Sequence, residues 1–148
     1  MAFQAVASAC SVEDLTRTLI ERNDRYQSAG SEEQRSLLTE LVAVAADRHR
    51  CLAALLDTDP AAVMRVALPE SLRSNLPSSV QTYIEERVEL EGVVEILHED
   101  RDQGSRYLYF LQTPRERVSL HFLGKPLALT SGTRVRVTGV RIGTGLVL

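Results

Sequence analysis

The sequence has no tryptophan, only two cysteines, and a single lysine, Lys125, against sixteen arginines. That scarcity of lysine reads as coding bias rather than as a device for phosphate recognition. No apolar run approaches the roughly 18 residues of a membrane-spanning helix, so no membrane partner is expected. A strong charge of either sign is missing too. The net charge is −3, with 13 acidic and 9 basic side chains in residues 1–87 and 7 and 8 in residues 88–148. A near-neutral second half argues against strong nonspecific binding to nucleic acid, whose affinity comes from phosphate neutralisation. Signature motifs are also missing: there is no G-x-S-x-G elbow, phosphate loop or dinucleotide fingerprint. The glycines of TGVRIGTG lie between two strands, where turn chemistry accounts for them. Carboxylates that stand side by side, as in Glu85-Glu86 and Glu99-Asp100, rarely aim at one reacting atom. The chain is therefore expected to be non-enzymatic, with no catalytic residue, cofactor or metal. Cys10 and Cys51 allow one disulfide in an oxidising compartment. Cys51 falls within a helical apolar pattern, which favours a buried thiol over a bridge.

What is present divides into two halves of different period. Ser11 with Asp14 forms a helix start signal, and Val12, Leu15 and Leu19 then recur at helical spacing as far as SAG at 28–30. Ser31 with Gln34 repeats the signal. Leu38, Leu41, Val42, Ala45, His49, Leu52, Leu55 and Leu56 continue as an apolar stripe of about seven turns, which predicts an antiparallel helical hairpin. Asp59-Pro60 caps a short third helix through Val66. Pro69 and Ser78 open two more short pieces, anchored by Leu68, Leu72, Leu76, Val80 and Ile84.

From Val88 the period falls to two. In VELEGVVEILHE, Val88, Leu90, Val94 and Ile96 share one parity, with Glu89, Glu91 and Glu95 on the other, and Gly92 marks a bend. RYLYFLQ, VSLHFL, TRVRVTGVRI and GLVL follow, separated by turn sequences. Five short strands with glycines at the bends predict a small coiled barrel, giving an α+β protein: a helical subdomain at 1–87 and a β-barrel at 88–148. The closing stretch, Ser-Gly, then Arg134-Val135-Arg136-Val137, then Gly139 and a short return strand, resembles the last two strands of oligonucleotide/oligosaccharide-binding (OB) barrels. That resemblance covers 88–148 and implies a five-stranded antiparallel OB-like barrel.

A second resemblance is narrower. VELEGVVEILHEDRDQGSRYLYFLQ with LHFLGKPLALTSGTRVRVTGVRIGTGLVL, together with the ALP and LPSSVQTYIEE pieces, resembles the region ahead of the catalytic domain in secreted bacterial gametolysin-like zinc metallopeptidases. It implies a non-catalytic, propeptide-like accessory module of an exported protein, periplasmic or extracellular, partnered by protein or by an adjacent domain of the same polypeptide. The zinc motif H-E-x-x-H is absent, so no peptidase activity carries over. MAFQAVASAC lacks a positive n-region and a full apolar core, so it is not an intact signal peptide; its small residues suit a trimmed one. The flush ending on a strand at Leu148 suggests a domain boundary, with the reading frame continuing beyond it.

For binding, the alternation places Leu108, Phe110, Val118, Leu120 and Phe122 inward and Tyr107, Tyr109, His121, Arg134 and Arg136 outward. Those five residues are the candidate ligand surface, a tyrosine-arginine face on which a base or sugar of a nucleic acid or glycan would stack. The competing expectation is that the tyrosines pack beneath the helices and the arginines pair with Glu89, Glu91 or Glu95. His49 is expected to pack on its helix stripe, and His98 to sit in the acidic turn HEDRD. A metal site joining His98 to His121 lacks a third ligand.

Overall fold

A computed structural model describes residues 10–126 and 128–148. The trimmed-signal reading of residues 1–9 lies outside the described residues. Five helices precede five strands: α1 Val12–Ser28, α2 Ser31–Leu55, α3 Pro60–Val66, α4 Glu70–Asn75, α5 Ser78–Gln81, then β1 Glu86–Arg101, β2 Gly104–Gln112, β3 Arg117–His121, β4 Arg134–Ile142 and β5 Gly145–Val147. The protein is α+β, as the change of period predicts.

Two of the expected caps form. The Ser11 hydroxyl accepts from the Asp14 amide, and the Asp59 carboxylate accepts from the Ala62 amide, satisfying donors that the first turn of a helix leaves free. The second helix is capped differently. Gly30 is its N-cap and Ser31 lies inside the first turn, while Gln34 reaches back to donate to the Tyr26 carbonyl. That bond ties the two arms of the hairpin at their junction. The stripe on α2 is also displaced from the expected one. It runs Leu37, Leu41, Ala45, Arg48, Cys51 and Leu52, with the fully buried Arg48 taking the place expected for His49. Cys10 and Cys51 form a disulfide, which corrects the buried-thiol expectation. Their α-carbons lie 5.8 Å apart, within the span a bridge requires. The bridge fixes the residue ahead of α1 to the face of α2.

All five strands join one sheet in the order β1-β2-β3-β5-β4, and β4 pairs back to β1. The 16-residue β1 makes this arrangement, because its first half pairs with β4 and its second half with β2. The partners change at Gly92 and Val93. A β-carbon at Gly92 would stand 2.4 Å from the Gln112 carbonyl oxygen, so only glycine admits the close approach at this crossing. One seam departs from the expected all-antiparallel barrel: β3 and β5 run parallel, with Leu120 opposite Leu146. The short β5, arriving from the β4 hairpin, fills the gap beside β3 in the only direction that hairpin leaves it.

Inside the sheet, Val94, Leu111, Val118, Leu120 and Leu146 form a core with Tyr109, Phe122, Val135 and Val137 against it. A second core, Leu19, Leu41, Ala45, Leu68, Leu76 and Val80, lies among the helices. The third joins the two halves: Val12, Cys51, Leu52, Leu56, Val63 and Val66 pack with Ile142 and Val147 of the sheet. The same junction carries a buried polar hub. Arg48, with no exposed surface, donates twice to Glu85 at 2.6 and 2.9 Å, to the Val66 carbonyl at 2.8 Å and to the Thr16 hydroxyl at 2.7 Å. Glu85 also accepts from the Leu68 amide at 2.6 Å. Each guanidinium nitrogen of Arg48 and each carboxylate oxygen of Glu85 has a partner, as burial of charge demands.

Candidate functional site

The residues nominated from sequence are brought together only in part: Arg134 and Arg136 lie apart from Tyr107, Tyr109 and His121. On β2 the phase is one residue away from expectation. Leu111 faces Val118 and Tyr109 faces Leu120, and all but the half-buried Tyr109 are fully buried, so Tyr109 points into the core. There its ring meets Phe122 edge-on at 5.1 Å. Tyr107 shares that parity but lies outside the part of β2 that pairs with β3, 61% exposed, with its ring 5.0 Å from that of His98. Leu108 and Phe110 face outward instead, reversing the expected assignment. A one-residue shift in phase moves every side chain of a strand to the other face.

Arg134 and Arg136 do point outward, on β4 beside β1. Arg134 and Arg136 each approach Glu91 at 3.3 Å, and Arg136 lies 3.8 Å from Glu89. Bonding to these two guanidinium groups holds the Glu91 carboxyl below its ordinary pKa. The arginines thus serve a cross-strand charge pattern away from β2 and β3, and the tyrosine-arginine platform does not assemble. His98 shares the inward parity of Val94 and Ile96, whereas His121, next to the buried Leu120, is on the outer face. The two histidines therefore lie on opposite faces, and among the described residues no group of three His, Cys, Asp or Glu is placed to hold a metal.

Three nominated residues, Tyr107, Tyr109 and His121, line one cleft. It opens between the outer face of β2 and β3 and the end of α2, with a volume of about 860 Å³. Phe110, Ser119 and His121 come from the sheet, Leu56 and Asp57 from the segment after α2, and Gly145 from the start of β5. Strand alternation explains the sheet contribution, since Ser119 and His121 stand two apart and share the face opposite Val118 and Leu120. Phe110 carries the Arg117 guanidinium over its ring at 3.8 Å, and Arg117 reaches Glu95 at 3.1 Å. The aromatic wall is thereby held in one orientation.

His121 is the best-connected group in the cleft. Its Nε2 lies 2.9 Å from the Ser119 hydroxyl oxygen and its Nδ1 3.5 Å from an Asp57 carboxylate oxygen. The Ser119 hydroxyl also lies 3.3 Å from the Thr144 carbonyl. The imidazole side chain is only 12% exposed. Burial pushes its pKa below the ordinary histidine value, against smaller opposing pulls from Asp57 and a backbone bond to Leu56. A neutral ring results at neutral pH. With the ring proton on Nδ1, the side on which Asp57 lies, Nε2 is the acceptor facing Ser119. Gly145 completes the wall: a β-carbon there would sit 2.5 Å from a Leu56 methyl group and about 3.5 Å from both Ser119 and His121.

Reading the sequence for single chemistry-bearing residues misses Ser119 and Asp57. The Ser-x-His spacing on an alternating strand was the available signal for the first. No local pattern marks Asp57, which the fold delivers from the other half of the chain. No family model matches the chain, and neither a curated protein nor a solved structure matches it.

Proposed function

We propose that the chain is an accessory module of an exported bacterial protein, and that it works by holding a partner segment in the cleft between its helical half and an OB-like barrel. The observation that carries this reading is the position of the cleft. It lies on the outer face of the second and third strands, the face through which OB barrels take their ligands. The ring-like strand order with its parallel β3–β5 seam supports the OB-like description. The Cys10–Cys51 disulfide supports export, since such bridges persist in oxidising compartments. The sequence resemblance to the region ahead of gametolysin-like catalytic domains supports a partner in the same polypeptide, where the module would assist folding or keep the neighbour latent.

The test is to express the polypeptide encoded after Leu148 separately and titrate it with the oxidised module by calorimetry. Saturable binding, weakened at least tenfold by Phe110→Ala, is expected. A reading frame that stops at Leu148, or a partner that binds Phe110→Ala equally well, removes the role.

The second reading is an OB-type binder of a glycan or single-stranded nucleic acid. The cleft's place on the β2–β3 face favours it as well, but through Phe110 and His121 rather than through Arg134 and Arg136, which lie away from it. Oligonucleotide titration at two salt concentrations decides the nucleic-acid form, because phosphate-driven binding weakens steeply with salt.

A further inference from the structure

Ser119, His121 and Asp57 stand in the order of a charge-oriented nucleophile: hydroxyl to Nε2 at 2.9 Å, then Nδ1 to carboxylate at 3.5 Å. Three features make this more than a chance of neighbours. The imidazole is neutral, because burial opposes its protonation, so its free nitrogen is a base at neutral pH. A carboxylate oxygen of Asp57 lies 3.5 Å from Nδ1, which favours the ring proton on that side and the lone pair of Nε2 toward Ser119. The hydroxyl is not sealed in, since it lines the open cleft beside Phe110.

We infer that Ser119 is a base-activated nucleophile that accepts an acyl group from a small aryl ester seated in the cleft. This goes beyond the binding role proposed above and shares only the cleft with it. Ser119 Oγ attacks the ester carbonyl carbon as its proton passes to His121 Nε2. The tetrahedral adduct collapses, the carbon–oxygen bond to the aryl group breaks, and the departing phenolate takes the proton from the imidazolium. A water then attacks the acyl-serine by the same route in reverse, releasing the acid and restoring the hydroxyl. Asp57 is a positioning residue: it touches no reacting atom and acts by holding the ring and favouring its charged form. An aryl ester fits the site on two grounds. Phe110 and Leu56 offer an apolar wall to a ring, and a phenolate is a good leaving group that asks little further help from the protein.

The test uses the oxidised full chain with p-nitrophenyl acetate, following nitrophenolate release and mapping the acetyl group by mass spectrometry. Acetylation at Ser119 is expected, lost in Ser119→Ala and reduced about 10²–10⁴-fold in His121→Ala, the range a general base supplies. The Asp57→Asn variant is expected to lower the rate and to shift the midpoint of the pH–rate profile, which a purely structural carboxylate would not move. Circular dichroism and thermal melting of each variant show that it is folded; Ser119→Ala removes one oxygen and serves if His121→Ala does not fold. Acetylation confined to Lys125 or tyrosines, or a release rate unchanged in Ser119→Ala, overturns the assignment. Partner binding that persists in Ser119→Ala leaves the accessory role standing whichever way the chemistry falls.

Discussion

Two of the arginine–glutamate clusters in this molecule differ in almost everything except their chemistry. At the junction of the helical half and the sheet, Arg48 and Glu85 are buried to 0 and 2% exposure and surrounded by three further hydrogen-bond partners. On the outer face of β1 and β4, Arg134 and Arg136 meet Glu89 and Glu91 in open solvent. The lesson concerns dielectric. In water an ion pair is weak because both charges are already solvated, whereas in the interior each charge becomes indispensable to the other. Both clusters are invisible to composition, which counts arginines without saying where they go.

The largest effect should come from breaking the inner cluster on one side. Arg48→Ala leaves Glu85 buried without its partner, and a loss of about 3–5 kcal/mol is expected in urea unfolding, a large share of the stability of a domain. The double variant Arg48→Met with Glu85→Gln should recover much of that loss. It removes both charges, retains an acceptor for the Leu68 amide and keeps most of the volume. A double variant no more stable than Arg48→Ala would mean that the cluster stabilises through net attraction rather than through the penalty for an orphaned charge.

A smaller effect is expected from the covalent tie next to that hub. The Cys10–Cys51 bridge closes a loop of sequence separation 41, and its removal as Cys10→Ser/Cys51→Ser should cost about 2–4 kcal/mol. Thermal melting with and without reductant measures this. Equal midpoints in the two conditions would place the stability of the helical half in its polar hub and apolar core alone.

A third prediction contrasts the groups that titrate in the two regions. Burial lowers the pKa of His121 in the folded state, so the unfolded chain takes up that proton first. Stability from this site is complete above about 6.5, the ordinary histidine value, and declines as pH falls below it. The Glu91 carboxyl behaves oppositely in position: its pKa is lowered by arginine, so its contribution holds near neutrality and is lost only under more acidic conditions, below the ordinary carboxylate range. Urea midpoints at pH 7.5 and 5.5 should therefore differ more for the native chain than for His121→Gln, while Glu91→Gln should leave that difference intact. An identical pH difference in native and His121→Gln protein would remove His121 from the junction's energetics.

The legible parts of the fold are those with one clean local signal. Ser11 and Asp59 announce their helices because a side-chain acceptor ahead of an apolar repeat has a single use, and β1 declares its inner face through Val88, Leu90, Val94 and Ile96 set against glutamates. The segment RYLYFLQ carries no such signal, since apolar residues occupy both parities from Tyr107 to Leu111. Its phase comes from outside, from the pairing of Leu111 with Val118 and Tyr109 with Leu120 on the cleanly alternating β3. Arg48 misleads for a related reason: an arginine on an apolar stripe looks like a solvated edge until Glu85, distant in sequence, is folded against it. The same holds for the cleft, where Ser119 and His121 are readable as one strand face and Asp57 is not.

The smallest predicted effect is the most direct test of the comparison. Removing Arg134 and Arg136 together as alanines takes away two guanidinium groups, the same type of group whose loss at position 48 is expected to cost the most stability. Exposed pairs contribute little and are screened by salt, so the double variant should lose less stability than any variant above at low ionic strength, and less still at high. Cross-strand neighbours on β1 keep Glu89 and Glu91 in water after the change, so no buried charge is orphaned. Unfolding midpoints at two salt concentrations measure both quantities. A large loss that salt does not diminish would show that Glu91 depends on these arginines as Glu85 depends on Arg48, and that exposure does not separate the two clusters.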